Sequence, residues 1–318
     1  MRRFFSDDSF WNQPVGPNPE IDPDSDHYLG LLAGEHGGSF WINLLDYTVP
    51  VYEADESTPR RTVHQIPVDE EDFLRRKWGQ RERWFSHGPS FGEDVPIPDH
   101  ARPDPASDRH MAVVDWCSMT AWDMWYCRRR PDGEWESHTG MVYPLDGSGV
   151  WSTSDFDVQD GESIHFHGPS RAAGVPAIAG LIMQHEIEEG VIRHKLAYAT
   201  WHNAYRRFAP PAAWTDGFND DGLPEGAVMQ IDPSLDPAEF DLSPGAATLF
   251  RALQEYGMVN VDNARANTLY GEGLYGHPGR SWDGLLSEDG LKKVPLECCR
   301  VLKLGKIIRK GDTRRQRH

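Results

Sequence analysis

Cysteine is scarce: the 318 residues hold four, none in CxxC spacing, which excludes a disulfide-built scaffold. Cys117 and Cys127 flank a turn near 118–121, where a hairpin would set Cys117 against a residue near 122. The adjacent Cys298 and Cys299 point to opposite faces of a strand. All four read as reduced thiols. Long apolar runs are missing as well, since nothing approaches the roughly 20 residues of a membrane span, so no membrane partner is expected. The opening MRRFFSDDSFWNQP lacks the apolar stretch of a secretory signal. The chain therefore reads as cytoplasmic as written, or as the processed form of a secreted protein.

Positive charge is the third shortage. The net charge is −18, only seven of the 32 cations are lysine, and residues 300–318 hold eight Lys/Arg against one acid, which leaves about −25 on residues 1–299. An acidic chain that prefers arginine to lysine suits a salt-rich milieu or a GC-rich genome. Such a body repels phosphates, which argues against nucleic acid as a main partner. The basic stretch 305–318 reads as a solvated tail behind a single domain over 1–304. No phosphate loop, dinucleotide fingerprint, internal repeat or low-complexity segment is present.

What is abundant is β-type sequence. FWINLLDYTVPVYEA (40–54) carries the aromatic and β-branched bias of strands, broken by Pro50. MAVVDWCSMTAWDMWYCR (111–128) predicts two strands about a tight turn, GEWESHTGMVYP (133–144) a third, and 162–168 and 191–203 two more. PVDEEDFLRRKWG (67–79) predicts a short helix with acids leading, bases trailing and Gly79 as its stop. In SPGAATLFRALQEYG (243–257), Ser243 is placed to cap, Pro244 fits the first turn, Leu249, Phe250, Leu253 and Tyr256 make an apolar stripe, and Gly257 ends it. MVNVDNARANTLYGEG predicts a hairpin. Many short strands with abundant Gly and Pro and one or two peripheral helices predict a mainly β chain, an antiparallel sandwich of jelly-roll or concanavalin-like type with an N-terminal extension.

The segments FWNQPVGPNPEIDPDSDHYLGLL, AWDMWYC followed by GEW, GPSRAAGVPAIAGLIMQHEIEEGVIRHKLAYA, PEGAVMQIDPSLD and RALQEYGMVNVDN resemble a large group of bacterial and fungal proteins, many of them secreted. The likeness runs from about residue 10 to residue 304. It implies a concanavalin-like or polysaccharide-lyase-like β-sandwich and a glycan context, and it supplies no catalytic residue. The chain departs from the group in lacking a signal segment and in carrying His165 and His167.

Several side chains are candidates for chemistry. In SIHFHGPS, His165 and His167 share one face of a strand, so they can converge on a metal or on a proton. IRHKLAYATWH adds His194, Tyr198 and His202 on one side of another strand. A cupin would place glutamate where this chain has Arg171, and the histidines read equally well as hydrogen-bonding members of the fold. Cleaving a uronic-acid glycan by β-elimination needs a group that neutralises the carboxylate, a base for the C5 proton and an acid for the leaving oxygen. Arg171, His165 or His167, His194 and Tyr198 could supply these if their strands are neighbours.

Hydrolysis instead needs two carboxyls, one of them protonated. Asp123 between Trp122 and Trp125 is one candidate, and Glu134 with Glu136 forms a same-side pair. Glu186 and Glu188 are expected to face solvent. The twelve tryptophans suit stacking on sugar rings as well as core filling, and Trp122, Trp125, Trp201, His202 and Asn203 are the candidate substrate contacts. The acidic loops 155–163 and 216–225 could hold a structural calcium or another divalent metal, though polar turns use the same residues, and no cofactor is required. The expected partner is a polysaccharide or oligosaccharide and the expected activity lyase cleavage, with glycoside hydrolysis or non-catalytic glycan binding as alternatives.

Overall fold

The computed structural model describes residues 2–34, 38–66, 86–152, 157–160, 163–166 and 168–309, with strand pairing alone for 157–160 and 163–166. Ten strands build its two main sheets: β1 Phe40–Asn43, β2 Val51–Glu53, β3 Met111–Asp115, β4 Thr120–Trp125, β5 Thr139–Pro144, β6 Leu196–Thr200, β7 Val228–Ile231, β8 Met258–Asn263, β9 Asn267–Tyr270 and β10 Cys299–Val301. The larger sheet runs β1-β9-β6-β8-β7-β10 and the smaller β5-β4-β3-β2. Short strand pairs elsewhere add further small sheets.

Alternation along the strands sorts the apolar side chains into separate cores. In β6, LAYAT, all five residues are buried. Leu196 and Tyr198 face one core with Phe40, Ile42, Met229 and Leu269, while Ala197 and Ala199 face another with Val259, Val261 and Tyr270. That second core also takes Val51, Ala112, Val114, Ala121 and Tyr143 from the smaller sheet, so it lies between the two sheets. The far side of the smaller sheet buries Tyr52, Val113, Trp122 and Met124. The segment Ala173–Leu181 threads the core between the sheets, which is why small residues occupy 197 and 199: a Cβ on Gly180 would sit 2.4 Å from the Ala197 nitrogen.

Three helices occur among the described residues: α1 Ser25–Ala33, α2 Gln184–Glu189 and α3 Pro244–Glu255. The third matches its expected place. Ser243 Oγ accepts from the Ala246 amide at 3.3 Å, Pro244 fills the first turn, and Gly257 follows with a left-handed φ of +76°. Its stripe of Leu249, Phe250 and Leu253 is fully buried on the larger sheet, so this helix covers a core and is not peripheral.

Other expectations are corrected. The sheets are mixed and not antiparallel, because β1 with β9, β6 with β8 and β2 with β3 run parallel. The expected hairpin of β8 and β9 is split by β6, which pairs with both, and the Ala264 amide closes the turn onto the Thr200 carbonyl at 3.2 Å. The single strand expected over 133–144 breaks at His138, whose amide bonds the Trp125 carbonyl at 3.1 Å and whose ring lies against Tyr126 at 4.6 Å. Residues Trp135–Ser137 then pair with Val63–Gln65 in a different sheet. The expected helix at 67–79 lies outside the described residues. All four cysteines are free thiols, and no described helix is long and apolar enough to cross a membrane.

Candidate functional site

At one edge of the smaller sheet a cleft of about 350 Å³ opens between β2, β3, α2, the loop after β9 and the N-terminal arm. Its lining is rich in chemistry: His100, His185, His194 and His277, Glu53, Glu186 and Glu272, and Arg2, Arg3 and Arg280. Trp116 and Phe4 supply aromatic surface.

Glu186 sits one turn into α2, and its carboxylate accepts from the Met183 amide at 3.2 Å, closing the helix start. That function turns the side chain inward, so Glu186 is buried, whereas Glu188 faces solvent as expected. The inward carboxylate meets His194, whose Nε2 lies 3.0 Å from Glu186 Oε1, while Nδ1 donates to the Lys195 carbonyl at 2.8 Å. Burial opposes a charge on His194, but the Glu186 carboxylate outweighs it and raises the pKa of the ring. With Nδ1 committed to a carbonyl and Nε2 to a carboxylate, the pair stores one proton beside the cleft.

The opposite wall is built by the loop after β9. Glu272, almost fully buried, receives Arg280 in a two-pronged ion pair at 2.8 Å on each oxygen and the Gln184 amide at 3.1 Å. Arg280 Nε donates to Gln184 Oε1 at 2.6 Å, so the guanidinium is held from two sides. His277 stacks nearly parallel on Tyr52, ring centres 4.8 Å apart and planes 18° apart. The close approach depends on Gly276, where a Cβ would lie 1.8 Å from the Tyr52 hydroxyl. Tyr52 is itself fixed by the backbone of Arg102, to which it donates at 2.8 Å and from which it accepts at 2.9 Å. Burial, against the pull of Glu272, depresses the pKa of His277 and keeps the ring neutral. A backbone hydrogen bond to Val51 occupies one ring nitrogen, and Nε2 is sealed from solvent without a partner, so the ring serves the cleft as wall.

A second polar region lies inside the molecule. Arg171 is fully buried, its guanidinium carbon 3.8 Å above the Tyr270 ring, and Nη2 donates to the Ala177 carbonyl at 3.2 Å. Asp123, also fully buried, accepts the Ala177 amide at 2.6 Å and the Tyr143 hydroxyl at 3.2 Å. Together the two side chains satisfy both polar groups of residue 177 in the threaded segment, a need any interior backbone has. Arg171 Nη1 stands 3.9 Å from Asp262, too far for a hydrogen bond, and neither Nε nor Nη1 has a partner. Burial, then the neighbouring Asp216, pushes the Asp262 carboxyl up to about 8. The same two causes raise Glu225 well above the carboxylate range.

The expected elimination set is not brought together. Tyr198 belongs to the helix-covered core, edge-on to Phe40 and donating to Asn267, whereas Arg171 lies on Tyr270 across the larger sheet. Strand alternation therefore puts the phenol and the guanidinium on opposite faces. His165 belongs to a two-strand hairpin opposite Val158, and His167 lies outside the described residues. Of the named catalytic candidates, His194 lines the cleft. Trp122 is buried behind the smaller sheet with Arg60 over its ring at 5.9 Å, and Trp125 is half-buried beside His138. Trp201 is 40% exposed, meets Phe218 edge-on at 4.7 Å and carries Arg265 at 5.8 Å. His202 is half-buried beside it, and Asn203 is fully buried, donating to the Asp262 carbonyl at 2.7 Å. Glu134 and Glu136 are paired with His64 and Arg128.

Among the described residues no group of three or more His, Cys, Asp or Glu is placed to hold a metal ion, the 216–225 loop included. Most of the 155–163 loop lies outside those residues. Comparison of the chain with protein-family models, curated proteins and solved structures gives no match in any of the three.

Sequence reasoning missed Glu272, His277 and Arg280. The HPGR run at 277–280 marks a turn, and a turn carrying two cationic-type side chains was the available signal.

Proposed function

We propose that this cleft is the active site of a polysaccharide lyase acting on a uronic-acid glycan, carried on two sheets packed as a β-sandwich. The observation that carries the reading is one cleft lined by His100 and His185 at its surface, by the proton-storing His194–Glu186 pair and by a set of guanidinium groups. β-Elimination uses those parts: a base takes the C5 proton, a cation holds the carboxylate as negative charge develops, and a proton reaches the departing oxygen. His100 or His185 is the base and His194 with Glu186 the proton source.

Incubation with a panel of polyuronates should produce new absorbance near about 235 nm, from the unsaturated product that elimination leaves. Of His100→Ala and His185→Ala, one should lower kcat by about 10²- to 10⁴-fold while the fold is retained. Reducing ends appearing without that absorbance would replace the reading by hydrolysis. Neither signal with binding retained would leave a glycan-binding protein.

Hydrolysis has one observation of its own. Asp262 stays protonated up to about pH 8 in a cluster with Asp216 and Glu225; Asn203 donates to the Asp262 carbonyl, and Asn219 donates to the carbonyls of both Asn203 and Trp201, beside the exposed Trp201–Phe218 pair. A protonated carboxyl beside an ionisable one near an aromatic platform is the chemistry a glycosidase requires.

A further inference from the structure

The N-terminal arm reaches the cleft by a constrained route. Phe5 has a φ of +67°, a left-handed conformation that costs a non-glycine residue about 1 kcal/mol or more. Its ring is nonetheless 4% exposed, and it occupies the space that a Cβ on Gly149 would need. Its amide bonds the Leu145 carbonyl at 2.7 Å. Asn12 then clamps the bend, its amide nitrogen donating to the carbonyls of Phe4, Phe5 and Ser6 at 2.9, 3.3 and 2.9 Å. The result of this bend is that Phe4 lies flat on Trp116, rings 5.7 Å apart and 4° from parallel, and Arg2 and Arg3 are delivered to the cleft.

The three guanidinium groups of the cleft are held in different ways. Arg280 is committed to the buried Glu272 and to Gln184. Arg2 pairs with Glu53 at 3.0 Å, both side chains more than 60% exposed; Arg3, itself partly covered, pairs with the fully exposed Asp7, and its Nη1 donates to the Arg193 carbonyl at 3.1 Å. Exposed pairs of this kind contribute about 0–1 kcal/mol, so a substrate carboxylate can replace Glu53 or Asp7 at little cost. Displacing Glu272 from Arg280 would strand a buried carboxylate.

We infer that Arg2 and Arg3, presented by the bent arm, are the specificity residues that select a polyanionic glycan for this cleft. The inference rests on the cleft being a glycan site. In a chain of net charge −18, an acidic polymer is repelled by most of the surface, and a local cationic wall decides where it can settle.

The test compares the intact protein with the double variant Arg2→Gln/Arg3→Gln, and with Arg2→Lys/Arg3→Lys as the conservative control. On polygalacturonate, KM should rise about tenfold in the glutamine variant, one ion pair's worth from each arginine, and kcat should fall as well, because these guanidinium groups face the carboxylate on which charge develops. The lysine variant should recover most of the loss. The wild type should prefer free polygalacturonate over its methyl ester, and the glutamine variant should lose that preference. Unchanged KM and unchanged ester preference would overturn the inference while leaving the lyase reading in place. If the wild type binds polygalacturonate by calorimetry without cleaving it, the lyase reading fails, and the inference stands or falls on whether the glutamine variant binds more weakly. A wild type that neither binds nor cleaves overturns both.

Discussion

The cleft and the interior cluster are made of the same groups, guanidinium, imidazole and carboxylate, but they balance charge in opposite ways. In the cleft each buried charge has a matched partner: Arg280 with Glu272 and Gln184, His194 with Glu186. In the interior one guanidinium faces Asp262, with Asp216 and Glu225 close behind, and the excess of acid is removed by holding protons. The difference teaches which region can exchange ligands. Matched partners at a solvent-reaching cleft leave the arm arginines, with His100 and His185 beside them, available for substrate. The interior set is consumed by the fold, since Asp123 and Arg171 together satisfy the two polar groups of residue 177.

The sharpest way to break the comparison is to remove each region's cation. Arg171→Met takes away the guanidinium that faces Asp262, along with its bond to the Ala177 carbonyl. It should cost about 3–5 kcal/mol in urea unfolding. Arg2→Gln, on an exposed pair, should change stability by less than about 0.5 kcal/mol. Equal losses would mean that the interior cation is as dispensable as the surface one.

Titration gives the next largest effect, and within the interior the acids and His110 have different signs. Asp262 and Glu225 have raised folded pKa values, so their contribution is full below the unfolded carboxyl pKa and is lost as pH rises through the folded value, about 8 for Asp262. His110, buried and driven by burial to about 3, behaves oppositely: its contribution is present above about 6.5 and lost as pH falls. Between pH 6.5 and 8 only the acid side of this balance acts. Asp262 alone should lower stability there by on the order of 2 kcal/mol, at about 1.4 kcal/mol per proton and pH unit, and Glu225 steepens the slope further. The double variant Asp262→Asn/Glu225→Gln should flatten the slope in that window. A variant that keeps the wild-type slope would show that these carboxyls are already ionised in the folded protein.

How much of this was legible beforehand depended on distance along the chain. The helix at 244–255 was readable because its cap, first-turn proline, stripe and stop all lie within fifteen neighbouring residues. The strands around 111–125 and 258–270 were readable from composition. Their pairing was not, because β6, some sixty residues earlier, wedges between β8 and β9 and no local pattern announces it. The cleft was the least legible, since it gathers residues 2–4, 185–194 and 272–280. Glu186 illustrates the cause: in sequence it is one of several acids on a short turn, and only the fold places His194 opposite it. Asp123 and Arg171 were read as candidate catalytic groups, and the fold gives both a structural task, since they are fully buried and bond the backbone of residue 177.

A smaller effect sharpens the cleft side. His194 has a raised pKa because Glu186 outweighs the burial that would lower it. The pair's contribution is therefore present below about pH 6.5 and lost as pH rises through the folded value. In ring-proton NMR the His194 signal should titrate above 6.5 in the wild type, and in Glu186→Gln below 6.5, a change on the order of 1 kcal/mol or more in the pair. An unmoved midpoint would mean that the Lys195 carbonyl and not Glu186 holds the proton, and His194 could no longer serve as the proton source of the proposed elimination.

The smallest expected effect concerns the exposed Trp201–Phe218 pair, which lies over neither core. Trp201→Ala should cost less than about 0.5 kcal/mol in stability, because the ring is 40% exposed and its main apolar contact is another exposed ring. Its effect on oligosaccharide affinity decides which region meets the glycan. Loss of one stacking surface of this kind is worth on the order of 1 kcal/mol, or about fivefold in Kd. If affinity falls with Trp201→Ala while the arm variants leave it unchanged, the glycan sits beside the interior acids and hydrolysis becomes the better reading. If affinity is untouched here and falls with Arg2 and Arg3, the aromatic pair is surface and the histidine cleft holds the substrate.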